Sequence, residues 1–377
     1  MGCAASGHPG TQKARTRDLG IPFDGEPGPL NAITDVAGIE VGYATLISGA
    51  GRLEVGKGPV RTGVSAILPR GRSSDPVFGG WFSLNGNGEM TGTTWIEESG
   101  FVEGPVMITN THSVGIVRDA VVEWMNRHGL GTPTLRDLCW LLPVVGETCD
   151  GFLNDINGHH VSKEHAFAAL DGARAGPVAE GNVGGGTGMM LHMFKGGTGT
   201  ASRRLAAHDG NYTVGILVQA NYGTRQELTV AGVPVGRAFA DLMPGEEAGK
   251  AGGSCIVIVA TDAPLLPHQL ERLARRVPLG IGRTGGIGAN SSGDIFIAFS
   301  TANPGAWSRS AIARLEMLPN DLMNPLLRAT IEATEEAVIN ALVAAETMTG
   351  RDGHTAHAIP HDRLREILRR YGRLIEP

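Results

Sequence analysis

The chain has 377 residues, 41% of them apolar and 19% charged, with a formal net charge of −6. That balance predicts a soluble globular protein, argues against nucleic-acid binding, and leaves no run near the ~18 apolar residues of a membrane span. The 56 glycines follow no collagen period and form no Gly/Ser tract, so they read as tight turns and close backbone approaches. Cys3, Cys139, Cys149 and Cys255 show no CxxC pair, which disfavours a disulfide framework or zinc site and suits a reducing cytoplasm.

Residues 1–20 read as a flexible N-terminal arm without a charged-then-apolar signal segment. Its first six residues, Met1 to Ser6, fit the loose myristoylation pattern, and a disordered tail is the plainer reading. Residues 21–377 are expected to form a single α/β domain. Alternation predicts strands at 33–44 and 63–68, and a short buried strand at 105–109. The glycine- and aromatic-rich stretch 76–90 suggests backbone packed closely on a neighbour. Asn110, Thr111 and Ser113 are natural caps for a helix at 114–125, and His112 reads as a capping or core residue in preference to a catalytic one. Residues 144–155 read as a polar loop after an apolar run, carrying Glu147, Asp150 and Asp155, and a helix follows at 163–170. Strands are predicted at 212–221, ending in Asn221, at 227–230, at 255–260 and at 295–300. Helices are predicted at 267–276, 321–348 and 360–371. The irregular order argues against a doubly wound fold and for stacked sheets.

Several patterns imitate binding sites. Gly280 to Gly285 spells GxGxxG, but a helix precedes it and a strand follows, the reverse of a dinucleotide fingerprint. Gly181 to Gly188 lacks the Lys-Ser/Thr of a P-loop; a phosphate nest and tight turns beside a site both remain open. His354, His357 and His361 are interrupted by Pro360 and read as surface residues rather than metal ligands.

The informative stretch is Gly252-Gly253-Ser254 at the entry to a buried strand. A cut between Gly253 and Ser254 would give Ser254 both a hydroxyl and an α-amine, whose reference pKa of about 7.7–8.0 suits a general base. A Gly-Gly turn into a core strand is the plainer reading of the same letters. Ser292 and Asp294 flank Gly293 before another strand, and Asn221 is placed to stabilise an oxyanion. Glu147 and Asp150 offer carboxylates to a substrate ammonium.

Taken together, segments 30–42, 147–155, 181–189, 218–223, 252–264 and 290–301 resemble the DmpA-type family of L-aminopeptidase D-esterase/amidases and β-peptidyl aminopeptidases. The resemblance implies an α-β-β-α sandwich like that of N-terminal-nucleophile hydrolases with different connectivity. It also implies autoproteolysis between Gly253 and Ser254 into chains 1–253 and 254–377, and a homotetramer of processed protomers. It assigns Ser254 as nucleophile, Ser292 and Asp294 as its activating partners, Asn221 as oxyanion donor and Glu147 as receiver of the substrate amine. Cys149 stands in the substrate pocket where an aromatic residue is expected. The implied activity removes N-terminal residues from short peptides, amides and esters, without metal or cofactor. A self-processing acyltransferase of ornithine-acetyltransferase type, which uses Thr as nucleophile, and a silent binding protein of the same fold are the alternatives. Neither L- versus D- nor α- versus β-residue preference follows from the sequence.

Overall fold

The computed structural model describes residues 13–133, 139–245, 253–308 and 310–375. Ten strands build two principal sheets. They are β1 (Glu40–Ser48), β2 (Val60–Leu68), β3 (Val77–Gly86), β4 (Phe101–Val102), β5 (Val106–Asn110), β6 (Val144–Thr148), β7 (Gly197–Arg204), β8 (Thr213–Asn221), β9 (Ser254–Thr261) and β10 (Gly293–Ser300). The smaller sheet runs β1-β2-β5-β6 and the larger β7-β8-β9-β10-β3-β4. Pairing is antiparallel except for β5 with β6 and β9 with β10.

The central strands are buried on both faces, and their side chains divide with a period of two. In β9, Val257 and Val259 join one apolar cluster while Ile256 and Ile258 join another; in β10, Phe296 and Phe299 divide likewise. The second cluster also takes Ile67, Ile108 and Val144 from the smaller sheet, so it is the layer between the sheets. Helices α2 (Val114–Arg127) and α3 (Lys163–Asp171) cover the smaller sheet; α1 (Thr93–Ser99) packs by β3. The larger sheet is covered by α4 (Pro267–Ala274) and α6 (Asn324–Val343), with α5 (Val277–Arg283) against α6 and α7 (His361–Arg370) contributing Leu364 and Leu368. The result is the α-β-β-α sandwich the sequence led us to expect.

The differences have local causes. Residues 33–44 are not one strand: Ile33–Asp35 is a 3-10 turn fixed by Asp35, which accepts the Leu30 and Ala32 N–H groups. Residues 144–148 are strand rather than loop, buried against β5. Residues 227–230 form no strand, since Arg225–Glu227 turns and Val230 bridges only Val233. The 321–348 helix is shorter, beginning at Asn324 with Pro325 in its first turn. β7, rich in Gly and Thr, carries almost no apolar signal in the sequence.

The expected flexible arm is also too long. Within residues 13–20, Arg15 reaches Glu180 at 2.7 Å and Thr200 O at 2.7 Å, and Thr16 donates to Asn340 at 2.6 Å. Arg17 pairs with Glu336 at 2.8 Å, and Arg203 meets the same carboxylate at 2.7 Å. The myristoylation pattern lies outside the described residues.

Helix α6 lies directly on β7: a Cβ at Gly199 would sit 2.0 Å from Ala337 O. Gly199→Ala is therefore expected to destabilise by about 1–3 kcal/mol, read as a lower urea midpoint with unchanged slope.

Candidate functional site

Strand pairing alone brings three distant segments to one point. Antiparallel pairing of β8 with β9 places Asn221 opposite Ser254, and parallel pairing of β9 with β10 places Gly293 beside it. Ser292 and Asp294 flank that glycine, and the Gly293 N–H donates to Gly253 O at 3.0 Å. A Cβ on Gly253 would lie 3.0 Å from Ser292 Oγ, so the two residues are in near contact.

The smaller sheet supplies the opposite wall. Just past β6, the Cys149 N–H donates to Ser254 Oγ at 3.4 Å, and Asn221 Nδ2 donates to the same oxygen at 3.4 Å. Asn221 Nδ2 also donates to Cys149 O at 3.0 Å, tying the sheets together at the site. Glu147 is buried and accepts from the Glu89 N–H at 3.0 Å and the Thr111 hydroxyl at 2.5 Å. Gly88 separates it from β10, since a Cβ there would stand 3.2 Å from Glu147 Oε1 and 2.9 Å from Gly293 Cα. The six predicted site residues Ser254, Asn221, Ser292, Asp294, Glu147 and Cys149 thus share one neighbourhood.

Burial raises the carboxyls of Glu147 and Asp294 above their ordinary range. Asp294 is held by Ser292 Oγ at 2.8 Å and Asn85 Nδ2 at 3.0 Å. Asp150 is different. It is buried, receives Asn110 Nδ2 at 3.1 Å and Asn154 Nδ2 at 3.0 Å, and is pushed up to about 6 by burial. Its oxygens are engaged by protein amides, so it supports the site rather than offering a free carboxylate. A cavity of about 270 Å³ adjoins Gly253, lined among others by Asn221, Tyr222, Glu227, Ser292 and Asp294.

Other expectations resolve on geometry. Asn110 and Thr111 are not side-chain caps; their polar groups serve Asp150 and Glu147. His112 is neither cap nor core but exposed, stacked on His159 at 6.0 Å. The GxGxxG stretch lies mainly in α5, where Gly280 admits Thr334 of α6. The glycines at 184–188 are packed turns: added Cβ atoms at Gly185 and Gly188 would meet Gln219 Oε1 and Arg61 O at 2.2 Å. His354 stacks on Phe152, and His361 Nε2 lies 2.9 Å from Val343 O. Among the described residues, no group of three or more His, Cys, Asp or Glu is placed to hold a metal.

Sequence reasoning missed Asn85, Thr111 as a Glu147 partner, and a hairpin at Met190–Lys195. The hairpin pairs Met190 with Lys195 around His192 and Met193, both at positive φ (48° and 62°). It lacks the Asn-Gly signature of such two-residue turns. Lys195 is fully buried, as is His192.

Residues 31–356 match peptidase family S58. The chain is 54% identical to the β-peptidyl aminopeptidase BapA of Sphingosinicella microcystinivorans, over 99% of this chain and 96% of the relative. The L-aminopeptidase D-Ala-esterase/amidase of Ochrobactrum anthropi, described as a serine aminopeptidase with a variant Ntn hydrolase fold, superposes with a TM-score of 0.89. It is 50% identical, covering 96% of this chain and 99% of that one. A Burkholderia sp. β-aminopeptidase gives 0.87 at 48% identity, covering 95% and 99%.

Asp150 generates a pH prediction. Its native carboxyl ionises near 6, above the ordinary 3.8. As pH rises from 3.8 to about 6 the unfolded chain loses this proton while the native protein keeps it, so stability falls across that window and then levels. Urea midpoints measured across it should show Asp150→Asn lacking this component of the decline.

Proposed function

The chain belongs to peptidase family S58 and is an aminopeptidase, and from that premise we propose a self-processing serine enzyme whose nucleophile is Ser254. The observation that carries this reading is the convergence of two N–H donors, from Cys149 and Asn221, on Ser254 Oγ at 3.4 Å each.

In processing, Ser254 Oγ attacks the Gly253 carbonyl carbon, whose oxygen is already held by the Gly293 N–H. The C–N bond breaks, the nitrogen takes the hydroxyl proton, and water hydrolyses the resulting ester. Ser254 is left with a free α-amine, its own general base. Ser292 and Asp294 stand beside Gly253, with Ser292 Oγ donating to Asp294 Oδ1, which suits them to order the proton path.

In turnover the Ser254 oxygen attacks the substrate carbonyl, with Asn221 Nδ2 and the Cys149 N–H holding the developing oxyanion. The leaving amine departs with the proton, and water releases the acyl group. Glu147, held above the usual carboxylate range by burial, gains an ion pair when the substrate ammonium arrives. Cys149, exposed beside the nucleophile, lines the acyl pocket with a smaller side chain than the expected aromatic.

The substrates we propose are short peptides, amides and esters with a free N-terminus, including N-terminal β-amino acid residues. The 54% identity to a β-peptidyl aminopeptidase supports the latter. The resemblance supports a homotetramer of processed protomers, and the cysteine pattern a cytoplasmic setting. An acyltransferase of ornithine-acetyltransferase type is not favoured by the similarity to aminopeptidases.

Intact-mass spectrometry under denaturing conditions should give two species, 1–253 and 254–377, and a β-aminoacyl p-nitroanilide should be turned over. Ser254→Ala should give one full-length mass and no turnover; activity in that variant would end the proposal. Glu147→Gln should keep processing yet lower kcat/KM by about 10- to 100-fold, from loss of a charged hydrogen-bond partner worth about 1.5–3 kcal/mol. A loss equal for N-acetylated and free-amine substrates would remove the assigned role.

A further inference from the structure

Among the described residues Lys195 has no carboxylate within salt-bridge reach, and it has no exposed surface. Its ammonium donates to three backbone carbonyls: Gly196 O at 2.7 Å, Met189 O at 2.8 Å and Gly186 O at 3.5 Å. Burial pulls its pKa down to about 7, with the Lys13 charge adding to the effect. A lysine kept at that cost, with only carbonyl partners among the described residues, calls for a reason beyond packing.

The reason lies in which carbonyl it holds. Met189 C=O and Met190 N–H belong to one peptide unit, and that N–H donates to Asn221 Oδ1 at 2.9 Å. Across the carboxamide, Asn221 Nδ2 donates to Ser254 Oγ at 3.4 Å and Cys149 O at 3.0 Å. The links run from ammonium to carbonyl, through the peptide to its N–H, then through the Asn221 amide to its own N–H groups. Two consequences follow from amide resonance. The Met190 N–H admits only the oxygen end of Asn221, which turns Nδ2 toward Ser254. Positive charge at Met189 O also polarises both amides in series, making Nδ2–H a stronger donor.

We propose that Lys195 is a positioning residue that orients and polarises Asn221 as oxyanion donor through the Met189–Met190 peptide. The inference rests on the role given to Asn221 above, and Lys195 itself touches neither substrate nor Ser254. The hairpin explains how the lysine is held: Lys195 pairs with Met190, and the two-residue turn at His192 and Met193 fixes their register. The Lys195 N–H donates to His357 O at 2.7 Å, anchoring the second arm to the C-terminal region.

The test is a double-mutant cycle between Lys195→Gln and Asn221→Ala in the full chain, with kcat normalised to the processed fraction seen by intact mass. Gln keeps a donor for the carbonyls and removes the charge. Asn221→Ala is expected to lower kcat by about 10²–10³-fold, and Lys195→Gln by about tenfold with KM roughly unchanged. The double variant should be no slower than Asn221→Ala alone, because the lysine then has nothing to act through. Multiplying losses, or an undiminished kcat in Lys195→Gln, would overturn the proposal. Undiminished kcat in Asn221→Ala would instead overturn the oxyanion role itself. Lys195→Met, near in length and without donors, runs through the same cycle should the Gln variant not be recovered folded.

Discussion

The pairing of β9 with its two neighbours is the constraint on which the site depends. An antiparallel partner brings the last residue of β8 to the first residue of β9, and a parallel partner brings in the first residue of β10. Either pairing alone would leave Ser254 with one side of its surroundings missing. A shift by one residue would turn every side chain of β9 to the wrong layer and exchange Ser254 for Gly253 or Cys255 at the junction. The apolar partition of β9 and β10 between the inner and outer clusters opposes such a slip. The same residues therefore fix both the hydrophobic core and the chemistry at its edge.

Around this junction the molecule maintains several polar groups that burial disfavours. Glu147, Asp150 and Asp294 are all raised by desolvation, and each is met by donors from elsewhere in the chain. Those donors come from β3, from the last residue of β5 and the residue after it, and from the turn after β6. Such networks favour one arrangement, because a misplaced partner leaves a buried carboxyl unsatisfied. Glycines serve the same end by removing volume: Gly88 lets Glu147 approach β10, and Gly185 makes room for Gln219. The high glycine content is thus spent on packing backbone against polar groups.

Much of this was legible in the sequence. The Ile/Val run of β9 and the Ile/Phe run of β10 announced buried strands, and Ser254, Ser292, Asp294, Asn221 and Glu147 stood at strand ends or in turns. Their co-location came from the family resemblance, because strand order and parallel pairing have no short-range signature. β7 was hidden because its burial comes from glycine and threonine under α6, where close approach replaces apolar side chains. β6 was masked by its acidic tail, although its five residues are buried. The Met190–Lys195 hairpin turns on two residues that do not advertise positive φ. Asn110 and Thr111 looked like helix caps, since amide and hydroxyl groups before a helix usually are; their partners lay in a segment about forty residues away.

The larger sheet has a further consequence. Its order across the sheet is β7, β8, then β9, β10, then β3, β4. Only the middle pair comes from the chain after residue 253. A break at Gly253–Ser254 would therefore divide the polypeptide covalently without dividing the folding unit. The downstream piece is an inlay, hydrogen-bonded along both edges by strands of the upstream piece. Its helix α6 also closes over β7, with Glu336 held by Arg17 and Arg203 from the other side of the break. The upstream piece keeps the whole smaller sheet, but neither fragment has the larger sheet complete or the apolar layer between the sheets closed. Losing the downstream piece would open the larger sheet and the inter-sheet layer together, so a severed backbone can hold its two pieces by the same core that holds a continuous one.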